Sequence, residues 1–366
     1  MHKSTKVISL VSMGAFAALV LSGCGAAPEP AESGGPVASD FLPCAVSDLT
    51  GFDDKDFNEL TYDGVKAAAE ELGVEPKATE SASEDQYSGN IEALMGEGCD
   101  LIVTVGFALA TATRDAAQAN PDVNFALIDS TVANDDFSPL TLDNVKPVLF
   151  DTAQAAVLAG YLAAGASKTG VVGTYGGMPF PSVTIFMDGF VDGVTHYNEV
   201  HGASVKVVGW DKAAQNGLFV GSFDDQNQAK TVTSGLLDQN VDVIMPVAGT
   251  LFKASIEAMK DRGSEGAIIG VNSDAFVSAP EYKEYYLTSV LKNLTTAAKG
   301  VTLAAGADSF DNTAYIGTLE NDGVGIAPTH EWESKLDPAL LDEVETLKAD
   351  IISGAFGVSS PSSPKL

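Results

Sequence analysis

Residues 99–128 have the sequence CDLIVTVGFALATATRDAAQANPDVNFALI. This segment indicates the fold class, because two kinds of pattern alternate in it. Leu101–Val105 and Asn124–Ile128 are short apolar runs of the kind that favours strands. Ala108–Ala119, between them, has the spacing of an amphipathic helix. A strand, a helix and a second strand in this order predict two parallel neighbours joined by a right-handed crossover.

The same alternation extends along most of the chain. Further strands are predicted at 41–46, 170–173, 205–208, 241–246, 267–271 and 286–290. Further helices are predicted at 61–72, 87–97, 152–164, 182–194, 226–239, 252–262, 294–305 and 338–353. This order is typical of an α/β protein whose parallel sheets are flanked by helices. The length predicts two lobes, one at 41–149 and one that starts near residue 150, with a ligand site between them at the strand ends.

The first 40 residues have a different character. Two lysines precede an uncharged apolar run, Val7–Leu21, which is shorter than the roughly 20 residues that a membrane-spanning helix needs. Residues 1–23 therefore predict a secretory signal peptide. The small residues before Cys24 resemble a bacterial lipobox, in which that cysteine carries a lipid. Residues 24–40, rich in Ala, Pro, Gly and Ser, predict a flexible tether. An ordinary signal peptide, with Cys24 incidental, is the alternative.

The charge and the motifs exclude several classes of function. The chain carries 20 basic and 50 acidic side chains, a formal net charge of −30 at pH 7. Such a surface repels phosphate backbones, so nucleic-acid binding is not expected. No pair of histidines has metal-ligand spacing, and neither a phosphate-binding loop nor a Gly-x-Ser-x-Gly elbow is present. We therefore expect no catalytic residues, no metal and no cofactor, which favours a binding protein.

Two further cysteines lie at the beginnings of predicted strands. Cys44 is inside the first strand, and Cys99 comes just before Leu101–Val105. If these strands are neighbours in a parallel sheet, the two thiols start at the same edge and can form a disulfide in an oxidising compartment. Two buried free thiols are the alternative.

Two loops combine an aromatic residue with acids. GFDDKDFN at 51–58 follows the first predicted strand, and VGSFDD at 220–225 precedes the helix at 226–239. One loop from each lobe, each with a phenylalanine, can close on both faces of a flat ring. Such stacking contributes roughly 1–3 kcal/mol per base. The alternative is that Phe52 and Phe57 pack beneath their own loop.

These two loops and several other segments of the chain resemble the basic membrane protein family, the purine-nucleoside receptors of ABC importers. The matching segments are 51–58, 176–179 with Phe186 and 189–190, 220–223, 247–250, 270–274 and 287–292. The resemblance implies the two-lobed type I periplasmic-binding-protein fold with a three-strand hinge. It further implies that about 292–312 joins the first lobe at 41–149. The second lobe then comprises 150–291 and the C-terminal segment to 366.

The resemblance also implies which residues bind the base. Phe57 and Phe223 match the aromatic residues that sandwich it. Asn58 matches the amide beside the first aromatic, and an amide offers both a donor and an acceptor to a purine edge. Asp129 matches an acid that accepts from a base N–H, although it can instead cap the chain after its strand. Asp54 can also line the cleft.

Three other residues match the sugar contacts of the family. Asp274 matches the acid that receives the ribose hydroxyls, and Lys292 matches a hinge lysine that donates toward the sugar. Gly249 matches a position where the backbone approaches the sugar closely. The alternatives are that Asp274 caps a helix and that Lys292 only pairs with Asp274. The loop also departs from the family, because Gly249 and Thr250 pass directly to Leu251 without the longer glycine-rich run.

The resemblance therefore implies a monomeric, lipid-anchored receptor on the extracytoplasmic face of the cell membrane. It would capture one nucleoside by hinge closure and deliver it to an ABC transporter permease. Three other functions stay open. They are a receptor for a sugar or another small molecule in the same fold, a ligand-sensing lipoprotein, and a nucleoside hydrolase with calcium held by Asp53, Asp54 and Asp56.

Overall fold

The computed structural model describes residues 40–365. The predicted signal peptide, Cys24 and nearly all of the tether lie outside the described residues. Among residues 40–365, no helix combines the length and the apolar character that crossing a membrane requires.

Short strands alternate with helices throughout the described chain. The strands are β1 (Pro43–Val46), β2 (Lys77–Thr79), β3 (Leu101–Val105), β4 (Asn124–Ile128), β5 (Val145–Phe150), β6 (Val171–Gly176), β7 (Lys206–Val208), β8 (Trp210–Asp211), β9 (Asn216–Gly217), β10 (Val243–Val247), β11 (Ala267–Asn272), β12 (Tyr286–Lys292), β13 (Tyr315–Gly317) and β14 (Val324–Ile326). The helices are α1 (Phe57–Leu72), α2 (Tyr87–Gly96), α3 (Ala110–Ala119), α4 (Thr152–Ala166), α5 (Pro181–His201), α6 (Gln226–Leu237), α7 (Phe252–Arg262), α8 (Ala275–Ser278), α9 (Leu294–Gly306) and α10 (Pro338–Ser353).

The first sheet has six strands in the order β13-β5-β4-β3-β1-β2, all paired in parallel. Helix α1 packs against α9, and α2 packs against α3. We call this sheet and these helices the first half of the described chain. Strand β13 belongs to this half although it lies beyond residue 312, where the first lobe was expected to end.

The second sheet also has six strands, in the order β14-β12-β11-β10-β6-β7. All of its pairs are parallel except β12 with β14. Helices α4 and α5 pack against each other, as do α6 and α7, and α10 packs on α4. We call this sheet and these helices the second half. The prediction of an α/β protein with parallel sheets flanked by helices is confirmed.

Three short segments connect the halves and lie side by side. The chain passes from β5 to α4, from β12 to α9, and from β13 to β14. The amide of Asp151 donates to the carbonyl of Gly317 at 2.8 Å, and the amide of Asn293 donates to the carbonyl of Gly323 at 2.9 Å. Because neighbouring crossings share backbone hydrogen bonds, they form one connected hinge.

The second half is organised around α4, which is buried along almost its whole length. A helix that is apolar on all sides can only be stable inside a core. Small residues let α5 approach it closely. A Cβ added at Gly193 would lie 2.0 Å from the carbonyl oxygen of Val157, and one at Gly160 would lie 2.2 Å from that of Phe190. These glycines therefore set the distance between the two helices.

Strands β2, β5 and β13 of the first sheet were not predicted from the sequence, and for β5 and β2 the physical reason is clear. Strand β5 contains Lys146 and Pro147, and a proline argues against a strand inside a sheet because it cannot donate to a neighbour. Strand β2 has three residues and is mostly exposed at the sheet edge, so it carries no apolar signal. By contrast, the predicted bounds of α7 and α10 agree with the structure.

Candidate functional site

A cavity of about 230 Å³ lies between the two halves, at the carboxyl ends of their strands. Its wall comes from both sheets, as expected for open α/β folds. The first half contributes, among others, Asp48, Phe57 and Phe107, and the second contributes Phe180, Phe223 and Asn272. Five of the eight ligand-binding residues expected from the sequence line it, namely Phe57, Asp129, Phe223, Gly249 and Lys292.

The two predicted aromatic residues enter the cavity from opposite halves. Phe57 begins α1, and Phe223 lies in the loop before α6. Each ring lies against a glycine. A Cβ at Gly177 would lie 2.4 Å from Phe223 Cε1, and one at Gly106 would lie 3.5 Å from Phe57 Cε1. Because these glycines have no side chain, each ring can lie against the backbone, and this contact orients the ring.

A second pair of aromatic residues joins the halves. Phe107 follows β3 in the first half, and Phe180 precedes α5 in the second. Their rings stack with centroids 4.8 Å apart and planes at 28°. Phe180 also contacts Phe223, with centroids 6.1 Å apart. Sequence reasoning missed both residues, although Phe107 comes two residues after the strand Leu101–Val105.

Lys292 and Asp129 form an ion pair inside the cavity. Their side chains are 3% and 7% exposed. The ammonium also lies over the rings of Phe186, at 4.9 Å from the centroid, and Phe57, at 5.5 Å. Burial raises the pKa of Asp129, and the Lys292 charge opposes that rise. The alternative that Lys292 pairs with Asp274 is wrong, because the partner of Lys292 is Asp129.

Asp54 and Asn58 do not line the cavity. Asp54 Oδ1 accepts from the amide of Glu59 at 3.0 Å, and Oδ2 accepts from the amide of Asn58 at 2.9 Å. These bonds cap α1, which is why the helix begins at Phe57 and not at residue 61. The side chain of Asn58 is fully buried. Its Nδ2 lies within 2.9 Å of oxygens of Asp48, Thr50 and Asp54, so its donors are used within its own loop.

Asp274 also does not line the cavity. Its Oδ1 accepts from the amide of Phe276 at 3.1 Å, as the cap of α8. Its Oδ2 lies 2.8 Å from Nε2 of His330, whose ring stacks on Phe276. The helix-cap alternative thus describes its position, and both carboxylate oxygens are held outside the cavity wall, by the Phe276 amide and by His330. Gly249 does line the cavity, at φ 55°, in a single 3-10 turn that ends at Leu251.

Asp48 is a cavity residue that sequence reasoning missed. It comes two residues after β1. Its Oδ1 accepts from the amide and the hydroxyl of Thr50, at 2.9 and 2.8 Å, and from Asn58 Nδ2 at 2.9 Å. Its Oδ2 lies 3.5 Å from where a Cβ of Gly106 would be. Burial raises the pKa of Asp48. An acid two residues after the first strand was the available signal.

Asp56 was expected only as a calcium ligand of the hydrolase alternative. It is 5% exposed and connects the halves beside the cavity. Its Oδ2 accepts from Asn272 Nδ2 at 2.9 Å, and its Oδ1 accepts from Ser273 Oγ at 3.1 Å. Burial, reinforced by the charge of Asp54, raises the pKa of Asp56 to about 7.

Tyr87 brings an unused hydroxyl to the cavity wall. Its side chain is 3% exposed, and its hydroxyl has no hydrogen-bond partner among residues 40–365. Burial, with contributions from Asp48 and Glu84, raises the pKa of Tyr87. A buried hydroxyl without a partner costs free energy, so a ligand polar group is the natural partner.

Cys44 and Cys99 form a disulfide with their Cα atoms 6.0 Å apart. Strands β1 and β3 are parallel neighbours, with Cys44 opposite Ile102. The bond therefore joins the start of β1 to the turn before β3, and neither cysteine lines the cavity.

The arrangement of these residues suits ligand binding better than catalysis. Aromatic rings face the cavity from both halves, and buried carboxylates and one ammonium supply fixed polar contacts. Among residues 40–365, no group of three or more histidines, cysteines or acids is placed to hold a metal ion. Such a cavity can enclose a small molecule with a flat ring and hydrogen-bonding edges.

Known proteins resemble this chain over most of its length. Residues 42–356 match the family model described as ABC transporter substrate-binding protein PnrA-like. The chain is 30% identical to basic membrane protein A of Borreliella burgdorferi over 84% of this chain and 85% of that one. It is 27% identical to the ABC transporter nucleoside-binding protein BmpA of Lactococcus lactis over 98% of this chain and all of that one.

A solved structure gives the same result for the fold. A solute-binding protein of an ABC transporter system from Aeropyrum pernix superposes with a TM-score of 0.77 at 25% identity, over 88% of this chain and 94% of that one. This confirms the two-lobed periplasmic-binding-protein fold. Proteins of this kind bind a solute for a transporter and are not enzymes. The chain belongs to the Bmp family of PnrA-like ABC transporter substrate-binding proteins.

Proposed function

We propose that this protein binds a nucleoside, with a preference for purines, and delivers it to the permease of an ABC importer. The observation that carries the proposal is the position of Phe57 and Phe223, which enter one cavity from opposite halves. A purine presents two flat faces and a larger stacking area than a pyrimidine, so two opposed rings favour it. The name of the Lactococcus lactis relative supports the same ligand class.

The base would lie toward Asp48 and Tyr87. Asp48 is an acceptor with one oxygen already held by Thr50 and Asn58, so the other is available to a base N–H. The hydroxyl of Tyr87 can donate or accept at the same edge. These two residues replace Asn58 and Asp129 as the base contacts expected from the sequence, because Asn58 is used to build its own loop and Asp129 is paired with Lys292.

The sugar would lie toward Lys292, Asp129 and Gly249. Lys292 and Asp129 provide a donor and an acceptor already held together. Gly249 places a loop of the second half in the same region, and Asn272 places a side-chain amide there. We assign the contacts with the ribose hydroxyls to this group, and not to Asp274, which caps α8.

The remaining parts of the proposal concern location. We propose that residues 1–23 export the chain, that Cys24 carries a lipid, and that 24–40 tether a monomer to the extracytoplasmic face of the membrane. A short flexible tether keeps the receptor at a high effective concentration near the permease. Radiolabelled palmitate incorporated by the wild-type chain but not by Cys24→Ala would support this part, and equal labelling would refute it.

The test of the ligand class is calorimetry on protein that has been unfolded and refolded to remove co-purified ligand. The panel comprises adenosine, guanosine, inosine, uridine, cytidine, ribose and galactose. We expect purine nucleosides to bind, and Phe57→Ala and Phe223→Ala each to weaken binding by about tenfold or more. Phe137→Ala is the matched control, because that ring is 89% exposed in a loop of the first half. A response to galactose alone would refute the proposal and indicate a sugar receptor.

A further inference from the structure

Asp56 is a buried carboxylate that reaches from one half of the protein to the other. It occupies the N-cap position of α1, yet its side chain does not cap that helix. Both of its oxygens instead accept hydrogen bonds from residues at the end of β11, Asn272 and Ser273, at 2.9 and 3.1 Å. A side chain in the first half therefore holds two side chains of the second half.

These contacts lie at the wall of the ligand cavity. Asn272 lines the cavity and has φ 64°, a left-handed conformation that its own surroundings must maintain. Gly249 lines the same region, and a Cβ there would lie 3.8 Å from Asp56 Oδ2. The side chain of Asn272 is thus oriented by Asp56, and it can be so oriented only while the two halves are closed.

The charges around Asp56 do not neutralise it. Asp54, two residues earlier in the same loop, repels it. Lys292 at the end of β12 attracts it, but that ammonium is paired with Asp129 at the end of β4. Its direct partners, Asn272 and Ser273, are neutral donors. Burial therefore dominates and raises the pKa of Asp56 to about 7 in this closed arrangement.

We propose that Asp56 is a positioning residue of the ligand site, and that it couples closure of the two halves to the uptake of one proton. The inference rests on the proposed function, in which closure encloses a nucleoside. When the halves separate, water reaches the carboxylate and its pKa returns toward 3.8, the ordinary value. Closure then takes up a proton at pH values between these limits, so ligand binding tightens as the pH falls.

The decisive measurement is the affinity for the best-binding nucleoside between pH 5.5 and pH 8, by calorimetry. We expect the wild-type protein to bind about tenfold more tightly at the acid end. Asp56→Asn should lose this tightening at acid pH, because its amide resembles the neutral acid and its carbonyl can still accept from Asn272. Asp56→Ala should bind weakly throughout, since Asn272 is no longer held.

Asp53→Asn is the matched control. It removes the same charge from an exposed position in the same loop, and it should keep the wild-type pH profile. The other acids of the cavity are unchanged in every variant, so they cannot account for a difference between the two asparagine variants. If Asp56→Asn kept the wild-type profile, or Asp56→Ala bound as tightly as the wild type, the proposal would be overturned.

A ligand-free measurement separates this proposal from the nucleoside assignment. Fluorescent labels at Asp136→Cys in the first half and Asn227→Cys in the second, in a Cys24→Ser background, report closure by energy transfer. Both positions are exposed. We expect the closed population to rise from pH 8 to pH 5.5, and Asp56→Asn to abolish that rise. An unchanged closed population would refute the coupling even if nucleosides bind, whereas a rise without nucleoside binding would refute only the ligand class.

Discussion

Lys292 and Asp129 are 163 positions apart in the chain, and they form a buried ion pair in the wall of the ligand cavity. Lys292 ends β12, where the chain crosses between the halves, and Asp129 directly follows β4. The pair therefore joins the hinge to the first sheet. It also places a positive and a negative group side by side in the wall of a cavity that several aromatic rings line.

Removing one member of this pair should destabilise the protein more than removing both charges. Lys292→Met leaves a buried carboxylate without its partner, and we expect a loss of about 3–5 kcal/mol in the free energy of unfolding. The double variant with Asp129→Asn should recover much of that loss. Urea denaturation of both variants measures the difference, and equal stabilities would show that the pair is not electrostatically coupled.

Stability should increase as the solution is acidified from pH 8 toward pH 5.5. Asp48, Asp56 and Asp129 all have raised pKa values, that of Asp56 being about 7, so the folded protein binds more protons than the unfolded chain. A raised carboxyl pKa contributes stability below the folded value and loses it as the pH rises through that value. Each such group changes the free energy of unfolding by at most about 1.4 kcal/mol per pH unit.

Thermal unfolding as a function of pH tests this prediction. The slope near neutral pH should be smaller in Asp56→Asn than in the wild type, because the variant lacks the group with a pKa of about 7. Asp53→Asn, which alters an exposed position, should leave the slope unchanged. A melting temperature that falls on acidification from pH 8 to pH 6 would contradict the sign of the prediction.

Tyr87→Phe should separate ligand affinity from stability. The hydroxyl has no hydrogen-bond partner among residues 40–365, so its removal breaks no bond in the free protein. We expect the stability of the free protein to stay the same or to rise by up to about 1 kcal/mol. If the hydroxyl contacts the base, nucleoside affinity should fall by about threefold to tenfold. Unchanged affinity would remove Tyr87 from the base contacts.

Gly177→Ala should weaken ligand binding by displacing an aromatic ring. The added Cβ would lie 2.4 Å from Phe223 Cε1, so the ring has to move. We expect about a tenfold loss of affinity, comparable with the loss of one stacking face. Gly235→Ala in α6 is the matched control, because nothing lies within 4 Å of its added Cβ and alanine favours helices. Wild-type affinity in Gly177→Ala would show that the ring position is not critical.

Reduction of the disulfide should lower stability without abolishing binding. Cys44 and Cys99 are 55 residues apart, and closing a loop of that length stabilises a protein by about 4 kcal/mol in the chain-entropy description. Neither cysteine lines the cavity. The double variant Cys44→Ser, Cys99→Ser should therefore unfold at lower urea concentration while its nucleoside affinity stays within about twofold of the wild type. A large loss of affinity would contradict this separation.

Two of the aromatic residues of the site could be predicted because their signal is local. Phe57 begins α1 and Phe223 lies in the loop before α6, and each has acids beside it in the sequence. The polar part was harder to predict. Asp48, Asp54 and Asp56 lie within nine residues of one another and follow the same strand. Nothing in composition or spacing tells which of them faces the cavity, which caps α1 and which crosses to the other half.

The alternation of apolar strands and amphipathic helices is enough to establish an α/β protein with parallel sheets, because periodicity along the chain is a local property. It also indicates where ligands bind, since the carboxyl ends of parallel strands share one edge. The partners of each acid depend on packing between segments that are distant in sequence. Asp129 meets Lys292 and Asp56 meets Asn272 only when both sheets are assembled, and Asp274 meets His330 only when the strands of the second sheet come together. Burial then determines each carboxyl pKa and whether its oxygens remain free for a ligand.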